Sequence, residues 1–111
     1  MSHYADYRKE CYDIHSYEDE NGFFAVKGFE DEKRLHIEDM WIKPEARDKK
    51  IGQEYQDRIF EKAKDIGYKK VSCSVCIDNE HANETLAKFL HNKWRLAWLT
   101  SDYIILIKDV L

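Results

Sequence analysis

Apolar residues recur at helical spacing in the middle of the chain and follow strand-like patterns elsewhere. Five of them are separated by steps of four and three, which predicts one amphipathic helix that Gly67 ends: Ile51, Tyr55, Ile59, Ala63 and Ile66. Short runs rich in β-branched and aromatic residues on either side predict strands. These strands cover residues 23–29, 34–42, 71–75, 94–99 and 103–108.

Two shorter helices complete the pattern. The first lies within residues 4–17, where apolar positions are three or four residues apart: Tyr4, Tyr7, Cys11 and Ile14. The second runs from about Asn83, a favourable N-cap, to Asn92. After the N-terminal helix, the order is strand, strand, helix, strand, helix, strand, strand. We therefore expect an α/β (α+β) fold.

The strand at residues 34–42 is the longest, and Pro44 ends it by withholding an amide donor. Because side chains alternate along a strand, one face should carry Leu35, Ile37, Asp39 and Trp41. The other face should carry His36, Glu38, Met40 and Ile42. The acidic neighbours Glu38 and Asp39 would then point to opposite faces.

Composition narrows the classes of function. The 111 residues fit one domain, residues 1–111, and the net charge of −4 disfavours nucleic-acid binding as the main activity. Three cysteines favour a reducing compartment, and no run approaches a membrane span, so we expect a cytoplasmic protein. Five histidines without ligand spacing predict no metal site.

Residues 41–52 run from a strand through a basic loop into the central helix. Backbone N–H groups at a helix N-terminus, together with Arg47, Lys49 and Lys50, offer an anion both hydrogen bonds and positive potential. This arrangement is typical of a diphosphate-binding turn. The alternative interpretation is an ordinary charged loop, or a basic surface patch that binds nucleic acid or another protein.

The same segment resembles the GNAT superfamily of acyl-CoA-dependent N-acetyltransferases. That family has a strand ending in V-x-P followed by an R-x-x-G-x-G/A loop, and residues 42–44 and 47–52 are similar to it. The resemblance extends over residues 22–111 and includes a V-x-x-x-N-x-x-A element at residues 75–82. It implies a mixed, mostly antiparallel sheet of about five to six strands, flanked by two main helices and a short N-terminal helix. The short N-terminal part is similar to compact forms encoded by bacteriophages.

The resemblance implies that acetyl-CoA binds here as the acyl donor. The backbone of the strand end would pair with the pantetheine arm, and the loop would hold the diphosphate. An Asn would contact pantetheine, and sequence alone leaves Asn79 and Asn83 as alternatives. The implied cofactor-binding residues are Met40, Trp41, Ile42, Arg47, Asp48, Lys49, Lys50, Ile51, Gly52, Gln53, Asn79 and Asn83.

One loop position departs from the family pattern. Lys50 occupies the place of the first glycine. We therefore expect an ordinary negative φ at this residue, or the loss of one close backbone approach to the diphosphate.

Residues 37–40 are similar to the Leu-Glu-Asp run of diamine acetyltransferases. Glu38 and Asp39 are therefore the candidate catalytic residues, which would attract a cationic amine and accept its proton through water. The alternative is a solvated acidic pair, and His36 is a second candidate base. The acceptor would be a small polyamine-like molecule or a protein lysine.

The family's usual proton donor, a Tyr in the last helix, falls here on Phe89 or Leu90, neither of which donates a proton. Neighbouring candidates are His91 and Tyr103. A GNAT-fold binding protein with impaired catalysis is therefore the alternative function. Exposed aromatic residues also permit self-association as a homodimer.

Overall fold

A computed structural model of the chain describes residues 3–77 and 82–110, and of Ala82 and Asn83 only the backbone. Within these described residues, three α-helices and six strands follow one another in this order: α1 His3–Tyr12, β1 Ile14–Asp19, β2 Gly22–Phe29, β3 Arg34–Ile42, α2 Ile51–Asp65, β4 Lys70–Cys76, α3 Ala82–His91, β5 Arg95–Leu99 and β6 Tyr103–Asp109. Among the described residues, no helix is long and apolar enough to span a membrane.

The six strands form one sheet in the order β1-β2-β3-β4-β6-β5. Every neighbouring pair is antiparallel except β3 and β4, which are parallel. This pair lies in the middle of the sheet. Its strands are parallel because α2 connects the end of β3 to the start of β4. The expected mixed, mostly antiparallel α+β fold is confirmed.

Strand β3 carries an extra residue at Glu38. Ala25 of β2 pairs with Asp39, but the next residue, Val26, pairs with Ile37, which leaves Glu38 without a cross-strand partner on β2. Such a bulge reverses the alternation of side chains beyond it. Our face assignment was therefore wrong in the second half of β3.

The bulge brings four apolar residues of β3 to the face that packs on the core, namely Leu35, Ile37, Met40 and Ile42. Asp39 and Trp41 lie on the opposite face with their partners on β2. Hydrophobic burial explains this outcome, since strict alternation would have exposed Met40 and Ile42 and directed Asp39 into the core.

The N-terminal region also differs from the expectation of one helix within residues 4–17. Helix α1 ends at Tyr12 and buries none of its residues, and Asp13 turns the chain with a φ of 53°. Ile14 then begins a strand and is buried there. The spacing of apolar residues suited a helix, but hydrogen bonding of residues 14–19 with β2 determines their structure.

The core lies between one sheet face and helices α2 and α3. Helix α2 contributes its predicted stripe, of which Tyr55, Ile59 and Ala63 are buried. Trp94 closes the end of this layer, with its ring edge-on to Phe60 and Phe89 at centroid distances of 5.8 and 5.0 Å. Helix α3 starts one residue before its predicted N-terminus and ends one residue before its predicted C-terminus.

A single carboxylate joins the β1–β2 turn to α2. Asp19 accepts hydrogen bonds from the backbone N–H groups of Asn21 at 2.8 Å and Gly22 at 3.3 Å. It also accepts the hydroxyl of Tyr55 at 2.6 Å and that of Tyr17 at 3.1 Å. These donors, led by Tyr55, lower the pKa of Asp19. The turn and the central helix are thereby fixed relative to each other.

Replacing Tyr55 with Phe tests this link. The hydroxyl is enclosed and donates to a carboxylate, so its removal should lower the free energy of unfolding by about 1–2 kcal/mol, measured by urea denaturation. Tyr17→Phe is the matched control and should cost less, because Tyr17 is half-buried and its bond is longer. Equal losses in the two variants would contradict the special role of Tyr55.

Candidate functional site

A cleft opens where β3 and β4 separate. Their parallel pairing extends from Arg34–Lys70 to Ile37–Cys73 and stops there, although β3 continues to Ile42. Beyond this point β4 no longer satisfies the facing N–H and C=O groups of β3. The cleft measures about 410 Å³ and is lined by Ile37, Glu38, Asp39, Met40, Gln56, Cys73, Ser74, Val75, Cys76, Thr85 and Phe89.

The loop after β3 turns directly into α2. A short 3₁₀ turn at Pro44–Ala46 follows the strand, and its last residue, Ala46, is buried. The backbone N–H of Lys43 donates to the carbonyl of Asn21 at 2.8 Å. Arg47 donates from Nε to the carbonyl of Ile42 at 2.9 Å, which ties the basic loop to the end of β3.

The first backbone bond of α2 runs from the N–H of Glu54 to the carbonyl of Lys50 at 3.1 Å. The N–H groups of Ile51, Gly52 and Gln53 therefore precede the helical ladder, and Lys50 supplies no side-chain cap. Donors of this kind, added to the positive end of the helix dipole, favour an anion. The basic loop and the cleft adjoin the same end of β3. A ligand with an anionic group and an extended arm could therefore contact both.

The loop residues predicted to bind the cofactor lie around this helix start. Arg47, Asp48, Lys49, Lys50 and Gln53 are exposed, whereas Ile51 and Gly52 are half-buried. Their proposed contacts with a cofactor stay a prediction.

The backbone of Gly52 packs next to Ile42, because a Cβ added there would lie 3.5 Å from Ile42 Cδ1. This is an ordinary contact distance, so alanine also fits at this position.

The remaining residues predicted to bind the cofactor lie at the end of β3 and around the start of α3. Met40 lines the cleft, but the Trp41 side chain is about half exposed on the opposite sheet face, so only its backbone can face the cleft. Asn79 lies outside the described residues. Asn83 belongs to the first turn of α3, and its side chain lies outside the described part of the structure.

Lys50 adopts a left-handed backbone conformation, which favours glycine. Its φ of 63° and ψ of 20° lie in the left-handed region, and Asp48 has a φ of 65°. The expectation of a negative φ at Lys50 was therefore wrong. The bonds of Lys43 and Arg47 hold the start of the loop, and the bond from the N–H of Glu54 to the carbonyl of Lys50 holds its end. The backbone path between Arg47 and α2 therefore imposes the conformation on Asp48 and Lys50.

Glu38 and Asp39 both line the cleft, at the bulge itself. Asp39 also lines a larger cleft of about 790 Å³ on the other side of the sheet, formed with Tyr4, Arg8, Glu18 and other residues of α1, β1 and β2. Both carboxylates are exposed, which suits the catalytic role and the solvated alternative alike. Their role stays a prediction.

The protic side chains that line the cleft are ones that sequence reasoning missed. Thr85, Ser74 and Cys76 contribute hydroxyl or thiol groups, and Phe89 occupies the wall expected for a tyrosine. Tyr103 and His91 are exposed and do not line the cleft. Each of these three residues is next to an apolar residue of β4 or α3. That position beside the predicted core was the only indication in the sequence that they could line a cleft.

His36 lies on the sheet face opposite the core and does not line the cleft. Its Nδ1 lies 2.8 Å from Ser72 Oγ, which also accepts a bond from Arg34 at 2.5 Å, so the Ser72 hydroxyl has its proton to donate to the imidazole. Burial, with smaller contributions from Arg34 and Lys27, lowers the pKa of His36, although Glu38 opposes this. His36 is thus a neutral structural group, and the alternative of a catalytic base at this position is not supported.

The comparisons with known proteins decide the family. Residues 4–91 match the acetyltransferase (GNAT) family model. The chain belongs to this family. A comparison with curated protein sequences gave no match. The family match begins earlier than the resemblance found in the sequence and includes α1 and β1.

Solved GNAT structures share the fold at low sequence identity. Nourseothricin acetyltransferase is 18% identical, with a TM-score of 0.76 over 89% of this chain and 66% of its own. A GNAT protein from Desulfovibrio desulfuricans is 13% identical, with a TM-score of 0.80 over 96% of this chain and 76% of its own. PaiA N-acetyltransferase from Thermoplasma acidophilum, in complex with coenzyme A, is 18% identical, with a TM-score of 0.73 over 93% and 65%. The chain thus spans about two thirds of the length of the first of these structures.

Replacing Lys50 with Gly should stabilise the protein. A non-glycine residue in the left-handed region costs roughly 1–2 kcal/mol, part of which glycine returns as unfolded-state entropy. We expect the free energy of unfolding to rise by about 0.5–1 kcal/mol in urea denaturation. Lys49→Gly is the control. Lys49 does not have a positive φ, so this substitution should not raise the free energy of unfolding. A stability gain in both variants would contradict the conformational explanation.

Stability should fall as the pH drops from about 7 to about 5, partly through His36. The folded-state pKa of His36 lies below its unfolded value, so below about pH 6.5 the unfolded chain binds more protons than the native one. His36→Gln retains an acceptor for Ser72 and does not titrate. Urea denaturation at several pH values should show a shallower decline in this variant, and an unchanged decline would exclude the contribution of His36.

Proposed function

We propose that the protein is an N-acetyltransferase that transfers acetyl from acetyl-CoA to a primary amine by direct attack. The observation that carries the proposal is the divergence of β3 from β4 beside the uncapped N-terminus of α2. The acceptor would be a small polyamine-like molecule or a protein lysine, and the cytoplasm would supply both substrates.

The chain offers surfaces that suit two parts of acetyl-CoA, the diphosphate and the pantetheine arm. The N–H groups of residues 51–53, with Arg47, Lys49 and Lys50 around them, suit the diphosphate. The free edge of β3 suits the amide groups of pantetheine, because both are extended and carry alternating donors and acceptors. Asn79 or Asn83 would add a side-chain contact. The coenzyme A complex of PaiA supports this assignment for the shared fold.

The reaction requires an oriented thioester and a neutral amine. Acetyl-CoA supplies the acetyl group as an activated thioester. A backbone N–H of residues 40–42 would donate to the thioester oxygen and stabilise the negative charge that develops there. Glu38 and Asp39 would attract the ammonium form of the acceptor and take up its proton through water. The lining of the cleft by both residues supports this role, since Glu38 stands at the bulge and Asp39 directly follows it.

The departing thiolate has no tyrosine donor among the described residues that line the cleft. A CoA thiol is a tolerable leaving group near neutral pH, so the lack of a general acid would slow turnover by roughly 10- to 100-fold without abolishing it. The same feature favours the second candidate function, a GNAT-fold protein that binds its ligand or a partner and has impaired catalysis.

Calorimetry with acetyl-CoA tests the binding claim. We expect saturable heat with the unmodified protein and a roughly five- to tenfold weaker affinity for Lys49→Glu, because an attractive charge near the diphosphate becomes repulsive. Lys69→Glu makes the same charge change at an exposed site outside the loop and should leave the affinity within about twofold. No saturable heat with the unmodified protein would exclude the proposed cofactor.

Release of free thiol against a panel of amines then separates the enzyme from the binding protein. Changing Glu38→Gln together with Asp39→Asn should lower kcat/KM by about 100-fold or more if these carboxylates accept the proton. Glu20→Gln is a control at an exposed turn residue. Binding without turnover for any amine would support the impaired protein, and an unchanged rate in the double variant would remove Glu38 and Asp39 from the mechanism.

A further inference from the structure

A second cleft, the α1 cleft, lies on the face of the sheet opposite the core and measures about 790 Å³. Helix α1 forms one wall with Tyr4, Ala5 and Arg8. The strands form the other wall with Ser16, Tyr17, Glu18, Asp19, Phe23 and Asp39. Of these lining residues, Asp39 also lines the cleft between β3 and β4. The two clefts thus meet at one carboxylate.

The charge of the α1 cleft suits a cation. Its described lining carries three carboxylates and one guanidinium, that of Arg8, which lies 5.4 Å from the ring centroid of Tyr4. Asp19 is already bound by two backbone N–H groups and two tyrosine hydroxyls. Glu18 and Asp39 form no ion pair with another residue in the described part of the chain. These two carboxylates are therefore able to accept hydrogen bonds from a ligand ammonium group.

Glu18 and Asp39 lie on either side of an apolar strand. Phe23 of β2 pairs with Glu18 of β1, and Ala25, the next residue on the same face of β2, pairs with Asp39 of β3. The two acidic residues are thus two strands apart and two residues out of register, so roughly 12 Å separates their Cα atoms. The site has a negative charge at each end and an apolar surface between the charges.

We propose that the α1 cleft binds the amine acceptor, and that this acceptor is a small straight-chain polyamine. Its reactive ammonium pairs with Asp39, its distal ammonium pairs with Glu18, and its hydrocarbon chain lies against Phe23. A four- or five-carbon diamine with a hydrogen bond of about 2.8 Å at each end covers roughly the distance between the two acidic residues. The inference rests on the proposed function and decides between its two acceptors, because a lysine side chain carries one ammonium and leaves Glu18 without a partner.

Asp39 holds the reactive amine at the opening between β3 and β4. The bulge at Glu38 turns Asp39 to the α1 face, while β3 still borders the other cleft. One proton of the ammonium passes to Asp39, and the nitrogen then attacks the thioester carbon. The C–N bond forms as the C–S bond breaks, and a second proton passes to the departing sulfur. Acceptor and acyl donor thus approach from opposite faces of the sheet.

Amide chemical shifts measured by NMR test where a polyamine binds. Cadaverine, a five-carbon diamine, should saturably shift the amides of residues 4–8 and 16–19, with a dissociation constant of roughly 0.1–1 mM at low salt. Pentylamine has the same length and one amino group, and it should bind at least about threefold more weakly. No saturable shift at these residues, with or without coenzyme A, would overturn the inference.

A charge reversal at Glu18 tests its contact with the distal ammonium. Glu18→Lys should weaken cadaverine binding about tenfold, because an attractive charge becomes repulsive. Glu20→Lys makes the same change at an exposed turn residue that does not line the α1 cleft, and it should leave the affinity within about twofold. Circular dichroism and thermal unfolding of both variants establish that the fold is retained. Equal weakening by both variants would contradict the assigned contact.

Steady-state kinetics test the acceptor role. With saturating acetyl-CoA, Glu18→Lys should raise KM for cadaverine about tenfold and change kcat by less than about twofold, because Glu18 binds the distal ammonium and not the reacting nitrogen. KM for pentylamine should change by less than about threefold. An equal rise in KM for the two amines would overturn the assignment of Glu18.

The inference and the proposed function fail in different ways. Saturable heat from acetyl-CoA without any cadaverine-induced shift at the α1 cleft would overturn this inference alone. Cadaverine-induced shifts at the α1 cleft without heat from acetyl-CoA would overturn the proposed function and support the amine site. A lysine-containing peptide that binds the α1 cleft more tightly than cadaverine would overturn the choice of a polyamine.

Discussion

The separation of β3 from β4 after Ile37 is the constraint on which the rest of the structure depends. Up to Ile37, β3 is hydrogen-bonded to β4 on one edge and to β2 on the other. Beyond Ile37, β3 is hydrogen-bonded to β2 alone. The bulge at Glu38 falls at this transition and turns Met40 and Ile42 back onto the core. Burial of these apolar side chains therefore stabilises the open part of β3. The backbone N–H and C=O groups on the edge of β3 that faces β4 remain available.

The loop that follows β3 shows how such an opening is kept in a defined shape. Lys50 and Asp48 hold left-handed backbone conformations that neither residue prefers as glycine does. Contacts on both sides compensate for this cost. Before the loop, Arg47 donates to the carbonyl of Ile42 and the N–H of Lys43 to that of Asn21, and after it the N–H of Glu54 donates to the carbonyl of Lys50. Asn21 belongs to the turn that Asp19 organises, so this turn is bonded both to the loop, through Lys43, and to α2, through Tyr55.

Sequence patterns predicted the elements whose apolar periodicity coincides with their burial. Helix α2 lies where expected because its buried residues repeat every four positions. Strands β2 and β4 lie where expected because each is a short run rich in β-branched or aromatic residues. Strand β1 was missed because its pairing with β2 is a tertiary interaction that overrides local helical spacing. The bulge at Glu38 was missed for a related reason: one inserted residue leaves no mark in composition, yet it reverses every side chain that follows.

Some residues of the candidate site could be predicted from a sequence motif, and others reach the site only through the tertiary fold. The basic loop was recognisable from residues 47–52, whereas Gln56, Thr85 and Cys76 reach the cleft only because three separate elements converge on it. Asp39 shows how the bulge changes the surroundings of a candidate site residue. Because the bulge moves it to the face opposite the core while its strand still borders the opening, it lines a cleft on each side of the sheet. The position of this residue thus depends on the bulge, which no pattern in the sequence marks.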